Sequence, residues 1–282
     1  MNNKLTAQIG LFLVTIIWGV TFILVKQALN DCPPFFFATL RFGLATILTI
    51  ALVNRKLFQL TNNEIIGGIV CGFFLFLGYG FQNFGLMHTT ASKSAFITSV
   101  SVLLVPIFLV TCNLQKVKWR IWIAVLLATM GLYLLILPSG GGLNLGDILT
   151  SGCALGFALH IIAQDIYIKK KIRLLPFFCV QSGFVTLFSF VNAQIFESSA
   201  IIWSDRLFAA IIITGVLATF AAFLIMIWAQ KILNPSETAI IFAGEPVAAA
   251  LFATAFGGEI LGLWGWIGGG LVCLAVMYGE SG

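Results

Sequence analysis

Apolar residues fill this chain in blocks of about twenty, with polar and turn-forming residues gathered between them. Crossing roughly 30 Å of hydrocarbon takes a helix of about 20 residues. Cutting at Pro, Gly-rich and charged breaks predicts ten spans, at 7–27, 34–53, 65–87, 91–111, 119–138, 147–168, 175–196, 206–229, 236–256 and 261–278. Asn30-Asp31-Cys32-Pro33-Pro34 and Pro138-Ser139-Gly140-Gly141-Gly142 are turn material. The Lys169-Lys170-Lys171-Ile172-Arg173 run is too charged for hydrocarbon. No small-x-small cleavage motif follows the first stretch, which therefore reads as a retained helix. The pattern predicts an all-α integral membrane protein.

Composition agrees: 60% of the 282 residues are hydrophobic and 9% charged, against about 25% charged in soluble domains. So few charges cannot coat a water-facing globule of this size. Cys32, Cys71, Cys112, Cys153, Cys179 and Cys273 form no CxxC pair, and most lie in apolar runs. They read as packing residues. The net charge of +5 is a topology signal. With the N-terminus inside, the cytoplasmic segments hold Lys4, Arg55, Lys56, Lys116, Lys118, Arg120, Lys169, Lys170, Lys171, Arg173 and Lys231, eleven of the 15 basic residues. The far side holds Lys26, Lys93 and Arg206. Both termini are therefore expected in the cytoplasm, and no nucleic-acid partner is needed to explain the charge.

The second half reads as a diverged copy of the first. At an offset of 144, Ser92, Ala95 and Ile97 fall on Ser236, Ala239 and Ile241, and Trp122-Ile123 falls on Trp266-Ile267. At 142, Pro34-Phe35-Phe36 falls on Pro176-Phe177-Phe178. Five spans per half make the second half enter the membrane from the opposite side. The expected architecture is two inverted five-helix repeats, residues 1–140 and 141–282, with a substrate site near the midplane between them.

Ionisable groups at membrane depth are costly and need partners or a wet cavity. Arg41 in the second span and Glu245 in the ninth are the two that stand out. They would touch a substrate's charged ends or each other; the bland alternative is a snorkelling arginine and a glutamate that caps backbone opened by Pro246. Tyr79, Gln82 and Asn83 share a helix face, and the two mid-membrane amides point to a cavity. Ser94, Thr98 and Ser101 share another, matched at 144 by Thr238, Phe242 and Glu245. Small hydroxyls serve equally well as glue between helices. His160 and Gln164 lie one turn apart in the sixth span, with Asp165 next to them. Proton coupling through His160 competes with a plain packing role. Trp18, Tyr79 and Trp228 could offer aromatic faces to an organic substrate, whereas Trp119, Trp203 and Trp264 sit at helix ends as interface anchors. Gly78, Gly80 and Gly268-Gly269-Gly270 read as close-packing positions, since no phosphate-loop motif accompanies them. With no metal-ligand spacing either, no cofactor and no metal are expected.

A family resemblance rests on Trp18-Gly19, Pro33-Pro34 through Arg41-Phe42, Phe96-Ile97-Thr98 leading to Val105-Pro106, Glu245-Pro246 and Gly257-Gly258-Glu259. In this order along ten spans the chain resembles the EamA-type transporters of the drug/metabolite transporter superfamily. The resemblance implies a ten-helix inverted repeat with a central cavity and alternating access. It also implies outward movement of amino acids or related amphipathic metabolites across a bacterial inner membrane. No obligate protein partner is expected. The sequence departs from symmetry at one point: Ser101-Val102 stands where the second half has Glu245-Pro246.

Three other classes find less support. An intramembrane serine protease would want a Gly-x-Ser-Gly nucleophile, and an aspartyl protease two mid-membrane aspartates; Asp147 and Asp165 lie near helix ends. A channel would want rings of charge or carbonyls. A carrier of nucleotide-like anions would want several cavity cations, and only Arg41 and Lys93 are candidates.

Overall fold

The computed structural model describes residues 3–53, 59–136, 144–198, 200–256 and 262–280. Arg55, Lys56, the Pro138–Gly142 joint and the Gly257-Gly258-Glu259 turn lie outside them. The described residues hold ten helical spans and no strand. The first three are α1 (Asn3–Ala28), α2 (Pro34–Val53) and α3 (Asn62–His88). The fourth is two pieces, α4 (Ala91–Thr98) and α5 (Ser101–Thr111), and the fifth is α6 (Trp119–Ile136). The second half repeats the order with α7 (Leu145–Ile168) and α8 (Leu174–Phe196). Its third span is α9 (Asp205–Ile212), a π-helical stretch Ile213–Ala221 and α10 (Ala222–Ala229). Its fourth is α11 (Pro235–Phe242) with α12 (Glu245–Phe256), and its last is α13 (Leu263–Glu280). Eight spans are long and apolar enough to cross a bilayer; Trp119–Leu134 and Leu263–Gly279 are shorter apolar helices.

Helix starts follow local chemistry. Thr61 with Glu64, Asn144 with Asp147 and Asn234 with Glu237 form reciprocal capping boxes, and Thr90 and Ser204 accept from the first turns of α4 and α9. Asn113 after α5 and Lys171 after α7 take φ of 53° and 57°, the left-handed turn that stops a helix. The outward faces carry apolar side chains such as Ile47, Leu126, Leu187 and Leu274, a surface suited to lipid.

The packing has the symmetry of the repeats. Spans α3 and α7 lie together, as do α1 and the eighth span. The α3–α8 contact has its image in the contact of α2 with the eighth span, and the fourth span on α7 is matched by the ninth on α1. The α2–α8 and α6–α13 pairs are their own images. Close approach at these crossings needs glycine, as Gly19 and Gly78 show. A Cβ on Gly19 would stand 2.6 Å from the Ala248 Cβ and 2.9 Å from the Glu245 carbonyl oxygen, and one on Gly78 would stand 2.5 Å from the Phe157 ring. Gly270 faces open space, so close packing does not explain it.

Three spans expected to be continuous are interrupted. The fourth breaks at Ser99–Val100 and the ninth at Ala243–Gly244, positions related by the same 144 offset. Around both breaks the bonds tighten to i→i+3: Val100 N–H donates to Ile97 O at 3.1 Å, and Gly244 N–H to Ile241 O at 3.1 Å. In the ninth span Pro246 lacks the N–H that would bond the Phe242 carbonyl. The fourth has valine at that position; there Ser99 Oγ donates back to Ala95 O at 3.0 Å, a contact that bends helices. The eighth span widens instead of breaking, through the π-helical stretch.

Candidate functional site

The two breaks flank one cavity of about 40 Å³, lined from both halves by α1, α2, α3, the fourth span, α7, α10 and the ninth span. Spans α6, α8 and α13 stay behind this inner wall. Seven of the expected site residues line it: Trp18, Arg41, Tyr79, Gln82, Thr98, His160 and Glu245. Phe22, Phe157, Phe223 and Phe242 make most of the remaining surface aromatic or apolar. A water needs about 10–15 Å³ of such space, so the cavity admits roughly three or four waters.

Arg41 is 3% exposed and is held by the opposite half. Its Nε donates to Thr219 Oγ1 at 2.6 Å, and Nη2 to Tyr79 Oη at 3.2 Å and to the Ala218 carbonyl at 3.4 Å. Its charge also sits 4.5 Å from the Tyr79 ring centroid. Nη1 donates to no described residue. Trp18 Nε1 donates to the same Ala218 carbonyl at 2.8 Å. Both partner groups, Ala218 and Thr219, belong to the π-helical stretch, an irregularity that recurs at functional sites.

Glu245 is the first residue of α12, where the positive end of the helix dipole favours an anion. Its carboxylate lines the cavity and has no hydrogen-bond donor or ion-pair partner among the described residues. Arg41 and Glu245 thus share the cavity without pairing. Their position in the repeats explains the asymmetry: the equivalent of Glu245 is Ser101, which also lines the cavity, as do the equivalent residues Thr98 and Phe242.

His160 and Gln181 lie together, 2.6 Å between His160 Nε2 and Gln181 Nε2. The ring is 5.8 Å from Phe223, edge to face. Gln181, on α8, is fully buried and fixes the imidazole from behind.

Four expected residues do not line the cavity. Asn83 turns one position round α3 from Gln82 and donates through Nδ2 to Pro34 O at 3.2 Å, tying α3 to α2. Ser94 is fully buried on α4, one turn before Thr98 on the same helix face, and falls outside the cavity lining. Gln164 donates to Gln230 across α7 and α10, and Gln230 Nε2 donates to Ile161 O at 3.3 Å. This amide pair packs just beyond Ile161 and Met226, at one end of the cavity. Trp228 is 36% exposed on the outer surface.

Sequence reasoning missed Thr219, the Ala218 carbonyl and Gln181. Gln181 carried the same signal as Gln82, an amide at membrane depth. Nothing in the sequence marked the carbonyl, because it depends on helix register.

Lys93, considered as a second cavity cation, binds Asp147 Oδ2 at 2.6 Å at the start of α7 and lies outside the cavity.

The chain matches the model of the EamA-like transporter family twice, over residues 5–137 and 144–278. It is 35% identical to an uncharacterised transporter of Archaeoglobus fulgidus over 98% of this chain and 86% of the relative. It is 24% identical to the uncharacterised transporter YoaV of Bacillus subtilis over 87% of this chain and 86% of that protein. One solved crystal structure superposes with a TM-score of 0.77 over 97% of both chains at 17% identity, a likeness of fold.

Proposed function

Since this chain belongs to the EamA-like transporter family, we propose that it is a secondary transporter of small amphipathic metabolites, amino acids or close relatives of them. The observation that carries this reading is the pair Arg41 and Glu245, which face one aromatic cavity and leave each other free. A zwitterion matches the chemistry of such a site once the site opens. Its carboxylate would bond the open Nη1 of Arg41, its ammonium would meet Glu245, and its side chain would lie among Trp18, Phe157, Phe223 and Phe242. A nucleotide-like anion fits less well, because Arg41 is the one cation lining the cavity among the described residues.

A cavity that holds a few waters cannot hold an amino acid. Substrate entry therefore requires the halves to separate, by alternating access of one half against the other. The division into repeats 1–140 and 141–282 is supported by the two family matches. Export across a bacterial inner membrane, with both termini in the cytoplasm, is the direction that the resemblance and the Lys/Arg bias support. His160 is the cavity group through which a proton would couple.

The test is transport in proteoliposomes of purified protein, with labelled amino acids screened with and without an imposed pH gradient. Saturable movement of one class, competed by its relatives, is the expected result. Absence of movement for every amino acid would overturn the substrate class and leave the family standing.

A further inference from the structure

Among the described residues, four ion pairs join the first half of the chain to the second. Asp31 binds Arg206 at 2.6 Å, and Glu64 binds Arg173 at 2.7 Å. Lys4 binds Glu237 at 3.2 Å, and Lys93 binds Asp147 at 2.6 Å. The repeat relates these pairs to each other. Asp31 and Arg173 are 142 residues apart, and so are Glu64 and Arg206. Lys93 and Glu237 are 144 apart, each three residues past the N-cap of its helix, and Lys4 and Asp147 are 143 apart. The Asp31–Arg206 and Glu64–Arg173 pairs are therefore images of one another, as are Lys4–Glu237 and Lys93–Asp147. In each image the charges are reversed.

That reversal is not forced by pairing. A half with one acid and one base at two such positions would be self-complementary, and two copies of it would pair in the inverted arrangement. This chain takes the other solution in both sets. The first half carries two acids in one set, Asp31 and Glu64, and two bases in the other, Lys4 and Lys93. Two first halves packed together would place Asp31 against Glu64 and Lys4 against Lys93. Two second halves would place Arg173 against Arg206 and Asp147 against Glu237.

We infer that these eight residues make the face between the halves specific for its opposite, so that each half fits the complementary half and rejects a second copy of itself. In every pair the carboxylate is the shielded member, from 0% to 13% exposed, while its basic partner is the more exposed one, from 15% to 47%. A second carboxylate in place of the base would meet a shielded one with little water between, where like charges repel strongly. Attraction between the correct partners adds less, because their basic ends are partly solvated. The arrangement thus works chiefly through exclusion of the wrong partner. It acts at both ends of the bundle: Lys4–Glu237 and Glu64–Arg173 lie where the odd-numbered spans begin, and Asp31–Arg206 and Lys93–Asp147 where the even-numbered ones begin.

The inference is tested in the full chain, so that no isolated half has to fold. Replacing the bases by acids (Arg173→Asp with Arg206→Glu, and Lys4→Asp with Lys93→Glu) imposes the contacts of self-pairing and leaves the capping carboxylates in place. Matching glutamine variants remove the pairs without repulsion. Thermal unfolding in detergent is read by size-exclusion chromatography after heating. The acid variants should unfold about 5 °C or more below the glutamine variants, a shift of the size one or two like-charge contacts give in a chain this long. The exchange Asp31→Arg with Arg206→Asp should recover most of the loss caused by Arg206→Asp alone. Acid and glutamine variants of equal stability, or an exchange no better than the single reversal, would overturn the inference. Neither outcome depends on which metabolite is carried.

Discussion

Arg41 Nε donates to Thr219 Oγ1 at 2.6 Å, so this arginine at membrane depth is anchored to the π-helical stretch of the opposite half. The bond spans the two repeats, and Nη1 donates to no described residue. A cation held in this way, with its position fixed before substrate arrives, loses little side-chain freedom on binding.

Arg41→Ala should lower transport by roughly 10- to 100-fold, the loss expected for a charge-assisted contact worth about 1.5–3 kcal/mol. Arg41→Lys should recover little of it, since an ammonium cannot bond Thr219 and Tyr79 and keep a planar donor free. Initial rates in proteoliposomes, with chromatographic proof of folding, check both. Full transport by Arg41→Ala would remove this residue from the site.

Glu245→Gln should abolish transport of a zwitterion and leave stability nearly unchanged. The carboxylate bonds to no described residue, so its replacement by an isosteric amide costs no protein contact. Unaltered uptake by this variant would show that the substrate's cation is met elsewhere.

Thr219→Val keeps the volume of the side chain and deletes the acceptor for Arg41 Nε. Transport should fall about tenfold, near the net worth of one such bond, and the apparent affinity should weaken more than the maximal rate. An equal fall for Thr214→Val, whose hydroxyl donates only to its own helix at Ala210 O, 2.6 Å away, would mark the effect as structural.

Gly19→Val should lower the unfolding temperature by several degrees, since overpacking a tight crossing costs roughly 1–3 kcal/mol. The added Cβ meets both a side chain and backbone of α12, one turn from Glu245. Gly270→Ala, inside α13 with nothing within 4 Å, should not lower the unfolding temperature and should raise it slightly through helix propensity.

Asp31 titrates in a turn outside the spans, and hydrogen bonds from Arg206 and Ser204 hold its carboxyl below the ordinary aspartate value. Its contribution to stability is therefore complete above the unfolded value near 3.9, and is lost as pH falls through the lower folded value. Acid unfolding monitored between pH 5 and pH 2 should begin at higher pH in Arg206→Gln than in the unaltered chain.

The ten spans and the likeness of the two halves were legible in the sequence because both are linear properties. A bilayer demands long apolar runs wherever the backbone crosses it, and a constant offset survives divergence in Pro34-Phe35-Phe36 and Pro176-Phe177-Phe178. Arg41 and Glu245 were legible for the same reason, since charge at membrane depth stands out against its background. What faces the cavity was decided by tertiary structure. Helix phase puts Ser94 on one face with Thr98 and Asn83 on one face with Tyr79, but Ser94, one turn before Thr98 on α4, falls outside the cavity lining and a bond to Pro34 O uses up Asn83. Gln164 and Trp228 were credible on chemistry and lost their place through packing, one to Gln230 and one to the outer surface. The Ala218 carbonyl could not be read at all, because a backbone acceptor has no letter in the sequence and becomes available only where a helix changes its register. Sequence alone determined which residues lie within the membrane. Which of them meet, and which remain free for something else, depends on helix breaks and crossings that bring positions some 200 residues apart into contact, as Trp18 and Ala218 are.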